Sequence, residues 1–130
     1  MRVPVLKQGA FLIASVQDGL TDNDLLKLRE ELAEKVGEHR SQGVVIDVSA
    51  LDVLDSFATR VLRNIAHATR LRGAETVVAG IQPDVAFAMV QLGLGLDGIA
   101  TALDLDEAIE LLQRKLRRKE GARARGPARG

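Results

Sequence analysis

The sequence has no cysteine. Disulfides, thiolate metal sites and cysteine nucleophiles are therefore excluded. Histidine is almost as scarce, with only His39 and His67. Apolar runs are a few residues long, including those in the opening "MRVPVLKQGAFLIASVQDG". They are too short for a secretory signal core or a membrane span, so a cytoplasmic location and no membrane partner are expected. The usual signatures of chemistry are missing too. No G-x-S-x-G elbow surrounds Ser15, Ser41, Ser49 or Ser56, and there is no Walker A lysine motif. "LGLGLDG" carries Gly93, Gly95 and Gly98, but not between a strand and a helix start, as dinucleotide binding needs. It reads as a loop that lets backbones approach closely.

What is present is an ordinary globular composition. The chain has 130 residues, 46% hydrophobic and 28% charged, which suits one domain. A domain of this size buries roughly two-thirds of its unfolded surface. The net charge of zero conceals an asymmetry. Residues 114–130 hold eight Lys/Arg and one Glu, which leaves ten Lys/Arg against seventeen Asp/Glu in residues 1–113, a net of −7. A basic tail of this kind suits an anionic partner, but a solvated terminus is the simpler reading. No aromatic residue interleaves the arginines to stack a base, so no nucleic-acid partner is expected. Residues 1–117 read as the domain and 118–130 as a disordered basic tail.

The patterning alternates strands with helices. "VPVL" and "AFLIASV" read as strands around the turn-like "KQG". Leu25, Leu28, Leu32 and Val36 recur at helical spacing, with Thr21 and Asp24 as a capping box at the start and Gly43 at the end. "VVIDV" is apolar on both faces and suits a central strand. A second helix turns Val61, Leu62, Ile65 and Ala66 inward, leaves Arg60, Arg63, Asn64, His67 and Arg70 outside, and stops at Gly73. "ETVVAG" is the next strand. Pro83 opens a third helix that stops at Gly93, "IATAL" is a last short strand, and Asp104 and Glu107 cap a closing helix with Ile109, Leu112 and Leu116 on its face. The expected fold is α/β: a mixed sheet of four to five strands packed with about four helices.

Candidate chemistry is sparse. His39 suits the helix dipole at the end of the first helix, and His67 lies on a polar face. Asp47, Asp52 and Asp55 cluster near one strand end, where carboxylates can hold Mg²⁺; turn and cap roles fit Asp52 and Asp55 better. No catalytic residue, metal site or cofactor is assigned. One hydroxyl stands out in "VLDSFATRVL", residues 53–62. Asp55 or Ser56 caps the second helix there, and a serine at a helix start is also a good phosphate acceptor. A phosphate adds about −1.5 to −2 charges. The helix dipole favours it by roughly 0.3–1 kcal/mol, and Asp55 opposes it, so the fold should tolerate modification. A docked partner would feel several kcal/mol of like-charge repulsion. Phosphate here would switch binding rather than folding.

Three segments, "GVVIDVSALDVLDSFATRVL", "LRGAETVVAGIQPDVAFAMVQLGL" and "ATALDLDEAIELL", resemble the STAS domain, the fold of anti-sigma-factor antagonists, over residues 3–117. "DSF" after "VVIDVS", followed by "GIQP" and "TALDLDEA", is similar to the RsbS-type branch, whose members are scaffolds of the bacterial stressosome. Phe57 and Ala58 replace the second serine and the glycine of the "DSSG" found in other antagonists. The resemblance implies a non-enzymatic switch phosphorylated on Ser56 by an RsbT-type serine kinase, with Thr59 as a weaker second site. Asp55, Phe57 and Arg60 are then expected at the partner interface. The unmodified protein would assemble with itself and with RsbR-type co-antagonists to hold the kinase. A PP2C-type phosphatase would reset it. The alternative is a STAS-type regulatory module that binds a small ligand such as a nucleotide.

Overall fold

The computed structural model describes residues 2–124. It contains, in order, β1 (Val5–Gln8), β2 (Phe11–Ser15), α1 (Asp22–His39), β3 (Gly43–Asp47), α2 (Ser56–Leu71), β4 (Glu75–Ala79), α3 (Pro83–Gln91), β5 (Ala100–Ala102) and α4 (Leu105–Ala124). The five strands form one sheet in the order β1-β2-β3-β4-β5. β1 is antiparallel to β2, and every other pair is parallel. The mixed α/β architecture is the one expected.

Strand order explains where the helices lie. From β2 to β5 the chain advances one strand at a time in a single direction. Crossovers of one hand then place every connecting helix on the same face. α1, α2 and α3 bury Leu28, Leu32, Val36, Leu62, Ile65 and Val85 in the same core as Leu12, Ile46 and Val78 of the sheet. α4 connects to no further strand and covers the other face, where Ala108 and Leu112 meet Ile13, Val45, Val77 and Ala79. The central strand β3 is covered on both sides, Val44 and Ile46 toward one core and Val45 toward the other. That is why "VVIDV" is apolar throughout rather than alternating.

Local signals hold at most helix ends. Thr21 Oγ1 accepts from the Asp24 amide at 3.1 Å and Asp24 Oδ2 from the Thr21 amide at 2.9 Å, a complete capping box. Pro83 occupies the first turn of α3. Asp104 Oδ1 accepts from the Glu107 amide at 2.8 Å. Three boundaries differ from expectation. Gly43 does not end α1; Arg40 does so in a left-handed conformation, φ 49°, with its amide bonded to the Val36 carbonyl. Gly43 instead opens β3, where an added Cβ would stand 2.8 Å from Leu112 Cδ1 and 2.9 Å from Phe11 Cδ1. The first hairpin turns at Gly9 and Ala10, because Lys7 and Gln8 are already paired with β2. Residues 118–124 are not a separate tail: they continue α4, as every residue of the segment except Gly121 favours. Residues 125–130, the rest of the expected tail, lie outside the described residues.

Candidate functional site

Ser56 stands at the carboxyl ends of the parallel strands, where the loop from β3 to α2 is built by backbone capping. Asp47 closes β3, and its Oδ1 accepts from the Ser49 amide at 2.9 Å. The Val48 amide bonds the Ala79 carbonyl at 2.9 Å. Gln82 Nε2 donates to the Ser49 carbonyl at 2.8 Å and ties the loop to the entry of α3. Gly80, φ 80°, lies against Ser49; a Cβ there would stand 2.7 Å from the serine Cβ. Leu51 and Leu54 bury themselves and anchor the middle of the loop. The loop is therefore held at both ends and in the centre.

The choice left open between Asp55 and Ser56 is resolved by geometry. Asp55 is the N-cap: its Oδ1 accepts from the Ala58 amide at 2.7 Å. Ser56 is the first helical residue, exposed, and its hydroxyl has no hydrogen-bond partner among the described residues. The amides of Ser56 and Phe57 have no intrahelical acceptor. Thr59 differs completely. It is fully buried, and its Oγ1 donates to the Asp55 carbonyl at 2.8 Å. A kinase would reach it only by unwinding the first turn. Phe57 is half-buried and packs against the core. Arg60, one turn beyond Ser56, is exposed and in no ion pair among the described residues.

Ser56 lies on the rim of an open groove of about 420 Å³ between this loop and α3. Leu54, Val85, Leu92 and Leu94 line it, and Asp52 and Asp55 share its rim with Ser56. Apolar side chains are also exposed on the loop and on α3. Val53, Phe87, Val90 and Leu92 are each 70% exposed or more. The sequence reading did not single out this surface. A signal was available: "PDVAFAMVQ" has more apolar residues than one buried face of a short helix can use. α3 buries only Val85 and Met89. Of its remaining apolar side chains, Ala88 lines the groove that Ser56 shares, as does the C-cap Leu92.

The other sequence candidates are placed elsewhere or put to structural use. Asp47 and Asp55 spend a carboxylate oxygen each on backbone amides. Among the described residues, no group of three or more His, Cys, Asp or Glu converges as metal ligands. His39 and His67 are exposed, on separate helices. The polar face of α2 latches the glycine loop: Arg63 Nη1 donates to the Gly95 carbonyl at 3.2 Å and Arg70 Nη2 to that of Gly98 at 2.9 Å. No helix among the described residues is long and apolar enough to cross a membrane.

Comparison with known proteins agrees with this architecture. The STAS domain family matches residues 3–108. A solved structure of RsbS from Moorella thermoacetica, bearing a serine-to-glutamate substitution, is 38% identical with a TM-score of 0.78, covering 90% of this chain and 99% of that one. A chain in a structure described as the molecular architecture of the stressosome, a signal integration and transduction hub, is also 38% identical, with a TM-score of 0.75, covering 88% of this chain and 99% of its own. The RsbT co-antagonist protein RsbRA of Bacillus subtilis is 34% identical over 103 residues, 75% of this chain. The chain spans only 38% of that relative's length. The chain belongs to the STAS-domain family of anti-sigma-factor antagonists, in its RsbS-like branch.

Proposed function

We propose that this protein is a non-enzymatic scaffold of a stressosome-type assembly that holds a serine kinase and releases it when Ser56 is phosphorylated. The observation that carries this reading is the division of labour at the start of α2. Asp55 performs the capping, so the Ser56 hydroxyl is exposed and uncommitted on the rim of an apolar groove. A phosphate can be added there without removing any contact that holds the fold. The first-turn amides and the helix dipole favour the added charge by roughly 0.3–1 kcal/mol. Arg60, four residues on, is positioned to pair with it. Asp52 and Asp55 are already on the rim. A phosphate raises the local negative charge by about −1.5 to −2, and an acidic or apolar partner surface docked over the groove would lose several kcal/mol.

The similarity to RsbS and to an RsbT co-antagonist supports an RsbT-type kinase as the partner that is held and that modifies Ser56. RsbR-type STAS chains are then its co-assembly partners and a PP2C-type phosphatase its reset enzyme. Thr59 is a poor second site because its hydroxyl is buried and bonded. The test is intact mass after incubation with ATP and an RsbT-type kinase, beside Ser56→Ala, with both samples sized by light scattering. One phosphate on the parent alone, with kinase leaving the complex, is the expected result. Equal phosphorylation of Ser56→Ala would remove Ser56 from the mechanism.

A further inference from the structure

The opposite end of the sheet holds an open cavity of about 500 Å³, where α1 and α2 end and α4 passes beside them. Its size falls within the range of about 300–1,000 Å³ typical of small-ligand sites. Arg40 reaches it from the end of α1, Arg72 from the end of α2 and Lys119 from α4. None of the three is in an ion pair among the described residues. Glu120 is the one acid in the lining. Ser41 also lines the cavity, is 4% exposed, and its Oγ has no hydrogen-bond partner. Buried hydroxyls are almost always bonded, so one that is not calls for a missing acceptor.

A structural explanation accounts for part of this. Cations are favoured at helix C-termini, which covers the residue type of Arg40 and Arg72. It does not cover Lys119, which comes from a different helix, or the unbonded Ser41 hydroxyl. Nor does it explain Gly37. This glycine lies in the last turns of α1, where glycine is disfavoured relative to alanine. An added Cβ would overlap Arg72 Nη1, so the glycine makes room for the guanidinium against the α1 backbone. The Arg72 guanidinium lies at the cavity and is exposed. Planar guanidinium groups match phosphoryl oxygens with paired N–H donors.

We propose that this cavity binds a small phosphorylated metabolite, with Arg40, Arg72 and Lys119 holding the phosphoryl group and the Ser41 hydroxyl donating to it. The site is separate from Ser56 and does not depend on the reading of that residue. The acidic rim formed by Asp52 and Asp55 lies at the other end of the sheet and disfavours an anion there.

Amide spectra of the isotope-labelled full chain, titrated with inorganic phosphate and with pyrophosphate at fixed ionic strength, test the site. Saturable shifts confined to residues 37–42, 72–73 and 116–120 are expected, with pyrophosphate binding more tightly than phosphate. Arg72→Gln should weaken pyrophosphate binding by about tenfold or more, and Ser41→Ala by about threefold. Arg72 is exposed and Ser41→Ala removes only a hydroxyl, so thermal melts should show both variants folded. Shifts that rise linearly, or that chloride reproduces at the same ionic strength, would overturn the proposal. So would saturable shifts at residues 55–58 in place of these, or an Arg72→Gln protein that binds like the parent. A phosphoserine peptide binding more tightly than pyrophosphate would replace the metabolite with a phosphorylated protein and overturn it too.

Discussion

At the start of α2, Asp55 and Ser56 stand exposed beside an open apolar groove. At the other end of the sheet, Gly43 is wedged between Phe11 and Leu112 with no room for a Cβ. The two ends also differ in charge. Asp22 and Asp24 lie in the first turn of α1, Asp84 in that of α3, and Asp106 and Glu107 in that of α4. His39 and Arg70 lie in the last turns of α1 and α2, and Arg40 and Arg72 are their C-caps. Each placement is the local preference of a helix end. The sheet adds them together. With β2 to β5 parallel, each helix returns antiparallel to the strands and their N-termini gather at one end. Ser56 is therefore set at the end where these acidic residues gather, and His39, Arg40, Arg70 and Arg72 lie at the far end.

The sharpest way to break this comparison is to imitate the proposed phosphorylation. Ser56→Glu should lower affinity for an RsbT-type kinase by about 100-fold, given several kcal/mol for like charges at an interface. Its thermal midpoint should stay near that of the parent. A binding isotherm and a melt on the same sample decide it. Unchanged affinity would mean that the groove beside Ser56 is not the docking surface.

The tightly packed Gly43 position should respond in the opposite way. Gly43→Ala should cost about 1–3 kcal/mol through overpacking against Phe11 and Leu112. Ser56→Ala, at the open end, should change stability by less than about 0.5 kcal/mol. Urea unfolding of the two variants gives both values. Similar values would erase the distinction between a packed position and an open one.

A smaller effect separates the two neighbours at the helix start. Asp55→Ala removes the acceptor for the Ala58 amide and should cost about 1 kcal/mol. If Ser56→Ala cost more, Ser56 rather than Asp55 would be the effective cap.

The smallest effect concerns the acidic end at low pH. The Thr21 amide donates to the Asp24 carboxylate and holds its pKa below the ordinary value. A carboxylate with a lowered folded pKa contributes stability that is fully present above its unfolded pKa, about 3.9. That contribution is lost as pH falls through the folded pKa. Melting midpoints from pH 5 to pH 2.5, roughly, should fall slightly more for the parent than for Asp24→Asn. Parallel curves would show that the capping carboxylate adds nothing.

Helix ends were the most legible part of the chain, because a cap needs residues only three positions apart. Thr21 with Asp24, Asp55 with Ala58, and Asp104 with Glu107 all form as local chemistry directs. Gly43 misled because a glycine after a helix has two possible uses, and only the distant Phe11 and Leu112 reveal which applies. Arg40 in a left-handed conformation carries no sequence signal at all. At the candidate site the serine itself was legible, but the groove was not. Leu54 and Leu92 are far apart in the chain and become neighbours only through the sheet.

Composition and spacing by themselves determined the α/β alternation, the covered central strand, the helix starts and the hydroxyl at the mouth of α2. These rest on period, capping and burial, which act within one or two turns of the chain. Only the tertiary structure decided that Thr59 is sealed inside and that α3 and its C-cap lay Val85 and Leu92 along the groove beside the serine. Each of those depends on what a side chain meets after the chain has folded back on itself, and that encounter has no local cause.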